Sequence, residues 1–88
     1  MDYILFTYPN CQKCEALKAF LPDTSLEGEE LSLVRREGKV RIRDFIKDLK
    51  RDNTGAIIIP TLVLLAEGKA EAVLNSREEL EDWLRSRA

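Results

Sequence analysis

Residues Tyr3 to Cys14 read YILFTYPNCQKC: an apolar run, a Tyr8-Pro9-Asn10 turn, and two cysteines three residues apart. The mixed aromatic and aliphatic side chains of Tyr3 to Tyr8 can fill both faces of a central strand. The cysteines then fall where that strand turns into a helix. A thiolate at a helix start meets unpaired backbone N–H groups and the positive end of the helix dipole, and both favour deprotonation. The deprotonated sulfur is the nucleophile of disulfide exchange. A three-residue step sets the second sulfur one turn further along the same helical face, within reach of a mixed disulfide formed on the first. Cys11 is therefore the expected attacking thiol, and Cys14 the resolving thiol.

Outward from this segment, the helix holding Cys14, Leu17, Ala19, Phe20 and Leu21 should be closed by Pro22, with Glu15 and Lys18 facing water. Glu30 to Arg35 alternates polar and apolar through Leu31 and Leu33 and predicts a short outer strand. Val40 to Arg51 predicts a second helix with Ile42, Phe45, Ile46 and Leu49 on one stripe and Arg43, Lys47, Lys50 and Arg51 outward. Asn53-Thr54-Gly55 breaks it, and a structured bend is expected at Pro60. Thr61 to Leu65 and Ala70 to Leu74 form an antiparallel hairpin around Glu67-Gly68-Lys69. Ser76 and Glu79 fit a capping box for a last helix whose Leu80, Trp83 and Leu84 face the core. The order is strand, helix, strand, helix, strand, strand, helix, within one domain over residues 1–88.

Composition narrows the chemistry. With 88 residues, 44% of them apolar, the chain can bury one modest core. Its 14 basic and 16 acidic residues are spread along the chain and give a net charge of −2, so a nucleic-acid partner is not expected. The sequence has no histidine, which removes the usual general base and leaves two cysteines as half of a tetrahedral thiolate shell. No segment reads as a signal peptide. Neither apolar run, Ala56 to Ile59 nor Leu62 to Ala66, is long enough to cross a bilayer. A cytoplasmic location with no membrane partner is the default expectation, and there a cysteine pair cycles more often than it staples.

Together, YILFTYPNCQKC, IIIPT, the hairpin and SREELEDWL resemble the glutaredoxin-like members of the thioredoxin superfamily over nearly the whole chain. The resemblance implies an α/β thioredoxin-like (glutaredoxin-like) fold, a mixed four-stranded sheet flanked by three helices. It implies a dithiol-disulfide oxidoreductase that reduces protein or small-molecule disulfides through Cys11 and Cys14. It also implies a cis Ile59-Pro60 peptide beside the sulfurs, whose turn offers the Ile59 N–H and C=O to an extended thiol substrate.

Departures from the family pattern bear on the donor of electrons. Tyr8 stands where the family commonly has lysine, Gln12 and Lys13 replace proline and an aromatic between the cysteines, and Ile58-Ile59-Pro60 replaces Thr-Val-Pro. Lys13 can still favour the Cys11 thiolate as a neighbouring cation. Asn75 and Ser76 replace paired glycines of the glutathione-binding stretch and add side chains where the tripeptide would sit. Glu78 remains to engage an ammonium group, and Arg41 or Arg43 a carboxylate. Contacts to glutathione are thus expected from Tyr8, Lys13, Arg41, Arg43, Ile59, Pro60 and Glu78.

Glutathione or a protein reductase could serve as the reductant, no tightly bound cofactor is expected, and no metal site is favoured. The partner is a disulfide-containing protein or small thiol, and a monomer is expected. Two other readings stay open. The cysteines could carry a soft metal or share an iron-sulfur cluster, or the fold could serve as a redox-sensitive protein-interaction module. The basic middle segment, from Arg35 through Arg51, motivates an acidic protein partner in the second case.

Overall fold

The structure, a computed structural model, describes residues 1–87. Strand β1, Asp2–Thr7, lies inside the sheet because its side chains are apolar on both faces. Ile4 and Phe6 join one core cluster and Leu5 the other. β1 pairs in parallel with β2, Glu27–Ser32, and antiparallel with β3, Thr61–Ala66. β4, Lys69–Leu74, pairs antiparallel with β3, giving a four-stranded mixed sheet in the order β2-β1-β3-β4.

Helices α1, Gln12–Phe20, and α3, Arg77–Arg87, with the turn that follows α1, cover one face through Leu17, Leu80 and Leu21, which pack on Leu5, Leu62, Leu64 and Leu74. The other face carries helix α2, Arg36–Ile42, and the turns after it, where Leu33, Ile42, Phe45 and Leu49 pack on Ile4, Phe6 and Val63. The Phe6 and Phe45 rings meet at 6.3 Å in a tilted pair. Each such fully buried side chain contributes about 1.5–3 kcal/mol through removal from water. Among the described residues no helix is long and apolar enough to cross a membrane.

Several expected boundaries move, each for a local reason. The outer strand is Glu27–Ser32 instead of Glu30 to Arg35. As an edge strand it exposes Glu27, Glu29 and Glu30, so its position carries no apolar alternation to read. Gly28 sits against Tyr3 so closely that a Cβ there would lie 2.0 Å from the Tyr3 carbonyl oxygen. Leu33 leaves the sheet, its N–H donating to the Thr7 carbonyl at 2.8 Å, and enters the core.

The second helix starts at Arg36, ends at Ile42 and tightens into a 3₁₀ turn over Arg43–Phe45. The change in winding rotates the expected stripe. Phe45 and Leu49 stay buried, but Ile46 is 39% exposed. Pro22 does not simply close α1; it lies inside a 3₁₀ turn, Leu21–Asp23, that extends it. Only half of the capping box forms. Ser76 Oγ accepts from the Glu79 N–H at 3.1 Å, while the Glu79 carboxylate accepts from Lys50 Nζ at 2.8 Å.

Strand directions decide which loops meet. β1, β2 and β4 end, and β3 begins, at the same end of the sheet. The Cys11 turn, the Pro60 loop and the entry to α3 therefore emerge together. The opposite end holds the hairpin tip, where Glu67 and Gly68 take φ values of 54° and 79° in a two-residue turn.

Candidate functional site

Asn10, at φ 59°, turns the chain off β1, and Cys11 follows as the N-cap of α1 in extended conformation. Asparagine is among the few non-glycine residues that enter this left-handed region readily. Cys11 Sγ accepts a hydrogen bond from the Cys14 N–H at 3.1 Å, and the Cys11 carbonyl accepts from the Glu15 N–H at 3.1 Å. A sulfur thus occupies the capping position that an oxygen usually takes. Cys11 and Cys14 are joined as a disulfide with their Cα atoms 5.2 Å apart. Their environments differ: Cys14 is 1% exposed, whereas Cys11 is partly open to solvent.

Glu15 lies in the first turn, where its carboxylate would oppose a neighbouring thiolate. It is engaged by Lys18 Nζ at 2.8 Å, which also reaches Glu30 at 3.5 Å. The hydrogen bond to Glu15 is the main reason that Lys18 titrates above its ordinary 10.5, with Glu30 adding to it. Lys13 is exposed and lines a cleft of about 520 Å³ with Ala16, Ser76, Arg77 and Glu78.

The Ile59–Pro60 peptide is cis, and Pro60 is buried. Asn75, expected to project into the ligand cleft, instead turns inward and is 7% exposed. Its Nδ2 donates to the Ile58 carbonyl at 3.1 Å and the Pro60 carbonyl at 3.0 Å. Thr61 Oγ1 donates to the same Ile58 carbonyl at 2.6 Å. The steric objection drawn from Asn75 therefore fails: the side chain braces the loop from behind. Ser76 is likewise occupied in capping α3.

A second recess, a groove of about 510 Å³, has an apolar lining of Tyr8, Leu33, Ile42, Ile57 and Ile59 and is bordered by Lys39, Arg43 and Arg51. Arg41, grouped with Arg43 by sequence, is not there. It forms an ion pair with Asp44 and stacks 5.0 Å from the centre of the Phe45 ring, on another surface. Two residues apart across the change from α-helix to 3₁₀ turn, the two arginines point to different sides. Of the expected contacts, Tyr8, Arg43 and Ile59 share the groove and Lys13 and Glu78 share the cleft.

Sequence reading missed Asn75 as a brace and Lys39 and Arg51 as groove residues. The four-residue spacing of Lys39 and Arg43 was the available signal, since such pairs share a helix surface. No family model matches the chain, and no curated protein does. Chemically, the end of the sheet offers one accessible sulfur over a helix start, one buried sulfur bonded to it, and two recesses of contrasting character. Among the described residues, no group of three or more His, Cys, Asp and Glu side chains is arranged to hold a metal ion.

Proposed function

We propose that the protein is a dithiol-disulfide oxidoreductase with a glutaredoxin-like fold of the thioredoxin superfamily. The observation that carries this reading is the asymmetry of the pair. Cys11 is the partly open sulfur at the α1 N-cap, within 3.1 Å of a backbone N–H, and Cys14 is buried one turn on. In the reduced protein the same N–H and the helix dipole stabilise a Cys11 thiolate. That thiolate attacks one sulfur of a substrate disulfide. A Cys11–substrate bond forms, the substrate S–S bond breaks, and the departing thiolate takes a proton from water. Cys14, as thiolate, then attacks Cys11 Sγ and releases the second substrate thiol. Two electrons have passed to the substrate, and the pair is left as the disulfide seen here. Two glutathione thiols in succession, or one protein dithiol, reduce it again and leave as glutathione disulfide or the protein disulfide.

Turnover of a broad panel of disulfides, with glutathione and with a protein reductase system in separate assays, tests the reading. Cys11→Ser should abolish exchange, because the other sulfur of the first turn, Cys14, is buried and closed to an incoming disulfide. Cys14→Ser should accumulate a mixed disulfide on Cys11, visible by mass. Unchanged turnover in Cys11→Ser, or no exchange by the unaltered protein with either reductant, would refute it.

A further inference from the structure

Ile58 and Ile59 are held in opposite ways. The Ile58 N–H donates to the Lys50 carbonyl at 3.1 Å, and the Ile58 carbonyl accepts from Asn75 Nδ2 at 3.1 Å and from Thr61 Oγ1 at 2.6 Å. The Ile59 N–H and C=O have no hydrogen-bond partner among the described residues. The Ile58 carbonyl and the Ile59 N–H belong to one trans peptide unit, whose planarity points them in opposite directions. Drawing the carbonyl in to the buried Asn75 and Thr61 side chains therefore turns the Ile59 N–H outward, on the surface that Ile59 lines with Tyr8.

This peptide unit lies close to the chemistry. Phe6 pairs with Thr61 at the start of β3, so residues 58–60 enter the sheet beside the point where β1 gives way to the Cys11 turn. Asparagine is also a poor choice at position 75 for stability alone. Its Nδ2 has two protons and three acceptors in reach, the Ile58 and Pro60 carbonyls and, at 3.3 Å, Thr61 Oγ1. Its buried Oδ1 accepts from no group among the described residues, and a buried acceptor left alone is destabilising. What the side chain secures is the direction of the carbonyls in front of it. Glycine, which the family pattern has here, could supply no such brace.

We infer that Asn75, together with Thr61, is a positioning residue for exchange with peptide disulfides. By holding the Ile58 carbonyl it aims the Ile59 N–H at a backbone carbonyl of a substrate whose sulfur has reached Cys11. A disulfide without a peptide backbone has no carbonyl to receive that N–H and gains nothing from the brace. Asn75 thus favours peptide disulfides over small ones without touching either. This role rests on the oxidoreductase reading, whose substrate preference it specifies.

Single-turnover oxidation of the reduced protein tests it. One substrate is a linear peptide whose single cysteine is disulfide-bonded to 2-mercaptoethanol, and the other is bis(2-hydroxyethyl) disulfide. With either, the Cys11/Cys14 dithiol and one disulfide become the protein disulfide and two thiols, followed by mass in quenched samples. Asn75→Ala should slow the peptide reaction about tenfold, the scale of one hydrogen bond, and the small disulfide less than about twofold. Thr61→Val, which removes the hydroxyl at nearly constant shape, should shift the same ratio by about threefold. Should Asn75→Ala not fold, Thr61→Val carries the test alone. Alkylation of Cys11 by iodoacetamide, which needs no backbone contact, should change less than about twofold in both variants.

Equal slowing of the two disulfides, or a fall in alkylation that matches the fall in peptide rate, overturns the inference, because a general disturbance of the site would do the same. So does a substrate ratio that neither variant moves. In all of these outcomes the unaltered protein still exchanges, and the oxidoreductase reading stands. If the unaltered protein oxidises with neither disulfide, the reading and the role of Asn75 fall together.

Discussion

The two recesses at the cysteine end of the sheet are nearly equal in volume, about 520 Å³ and about 510 Å³, and differ in nearly everything else. In the cleft, the polar groups are mostly committed to the fold. Ser76 caps α3, and Arg77 is bonded to Glu81 at 2.7 Å and stacked 4.9 Å from the Phe20 ring centre. Lys13 and Glu78 there are of opposite sign. In the groove the cations engage no carboxylate among the described residues and the lining is apolar. Size therefore does not distinguish a binding surface from a fold in the surface. Residual charge over residual apolar area does.

The largest effect expected from breaking this contrast comes from beneath the groove. Phe45→Ala should cost about 3–5 kcal/mol of stability by chemical denaturation, as for large aromatic deletions in a core. Because Phe45 packs in the cluster that holds Leu33 and Ile42, amide shift changes should concentrate around the groove and spare Lys13 and Glu78. Equal disturbance of both recesses would mean that they are one cooperative unit.

Asn75→Ala should be milder, about 1 kcal/mol, because it removes hydrogen bonds to two carbonyls but also a buried Oδ1 that has no partner. Its more telling readout is hydrogen exchange. The Ile58 amide, which donates to the Lys50 carbonyl at 3.1 Å, should exchange faster, since the brace on the Ile58 carbonyl is gone. An unchanged rate would show that Thr61 alone holds the loop.

The smallest effect concerns the loop behind Arg51. Asp52 accepts from the Thr54 hydroxyl at 2.6 Å and from the Thr54 and Ala56 N–H groups at 2.8 and 3.1 Å. The Thr54 hydroxyl first, then these amides, hold its carboxyl below the ordinary 3.8. A depressed folded value means that this support is present above the unfolded value and is withdrawn as pH falls through the folded one. Thr54 and Ala56 amide shifts followed by NMR should therefore inflect below pH 3.8, and Asp52→Asn should remove the inflection. An inflection above 3.8 would contradict the hydrogen-bond account.

How much of this was legible depended on whether a residue's role was local. YILFTY gave β1, and the Glu67-Gly68 step gave the hairpin, because side-chain pattern and turn chemistry act within a few residues. Leu80, too, was legible from its stripe, and Trp83 and Leu84 pack against the same cluster. Ile46 was misread because helical periodicity does not foresee a change of winding at Arg43. β2 was misplaced because an edge strand with three exposed glutamates is set by its neighbour, not by its own pattern. At the site, the cysteines announced their place through the strand-to-helix turn. Asn75 gave no sign of its role, since its partners lie 15 and 17 residues away in sequence.

The hairpin tip offers a practical handle. Gly68 has nothing within 4 Å of where a Cβ would be, and Glu67 beside it is exposed. β3 carries the chain from the Pro60 loop to this tip over six residues, roughly 20 Å at the usual rise of an antiparallel strand. A peptide spliced between Glu67 and Gly68 would leave the sheet ladder and both cores in place, as insertions at exposed turn tips generally do. Anchored to a bead or an electrode through such a graft, every molecule would present its sulfurs outward.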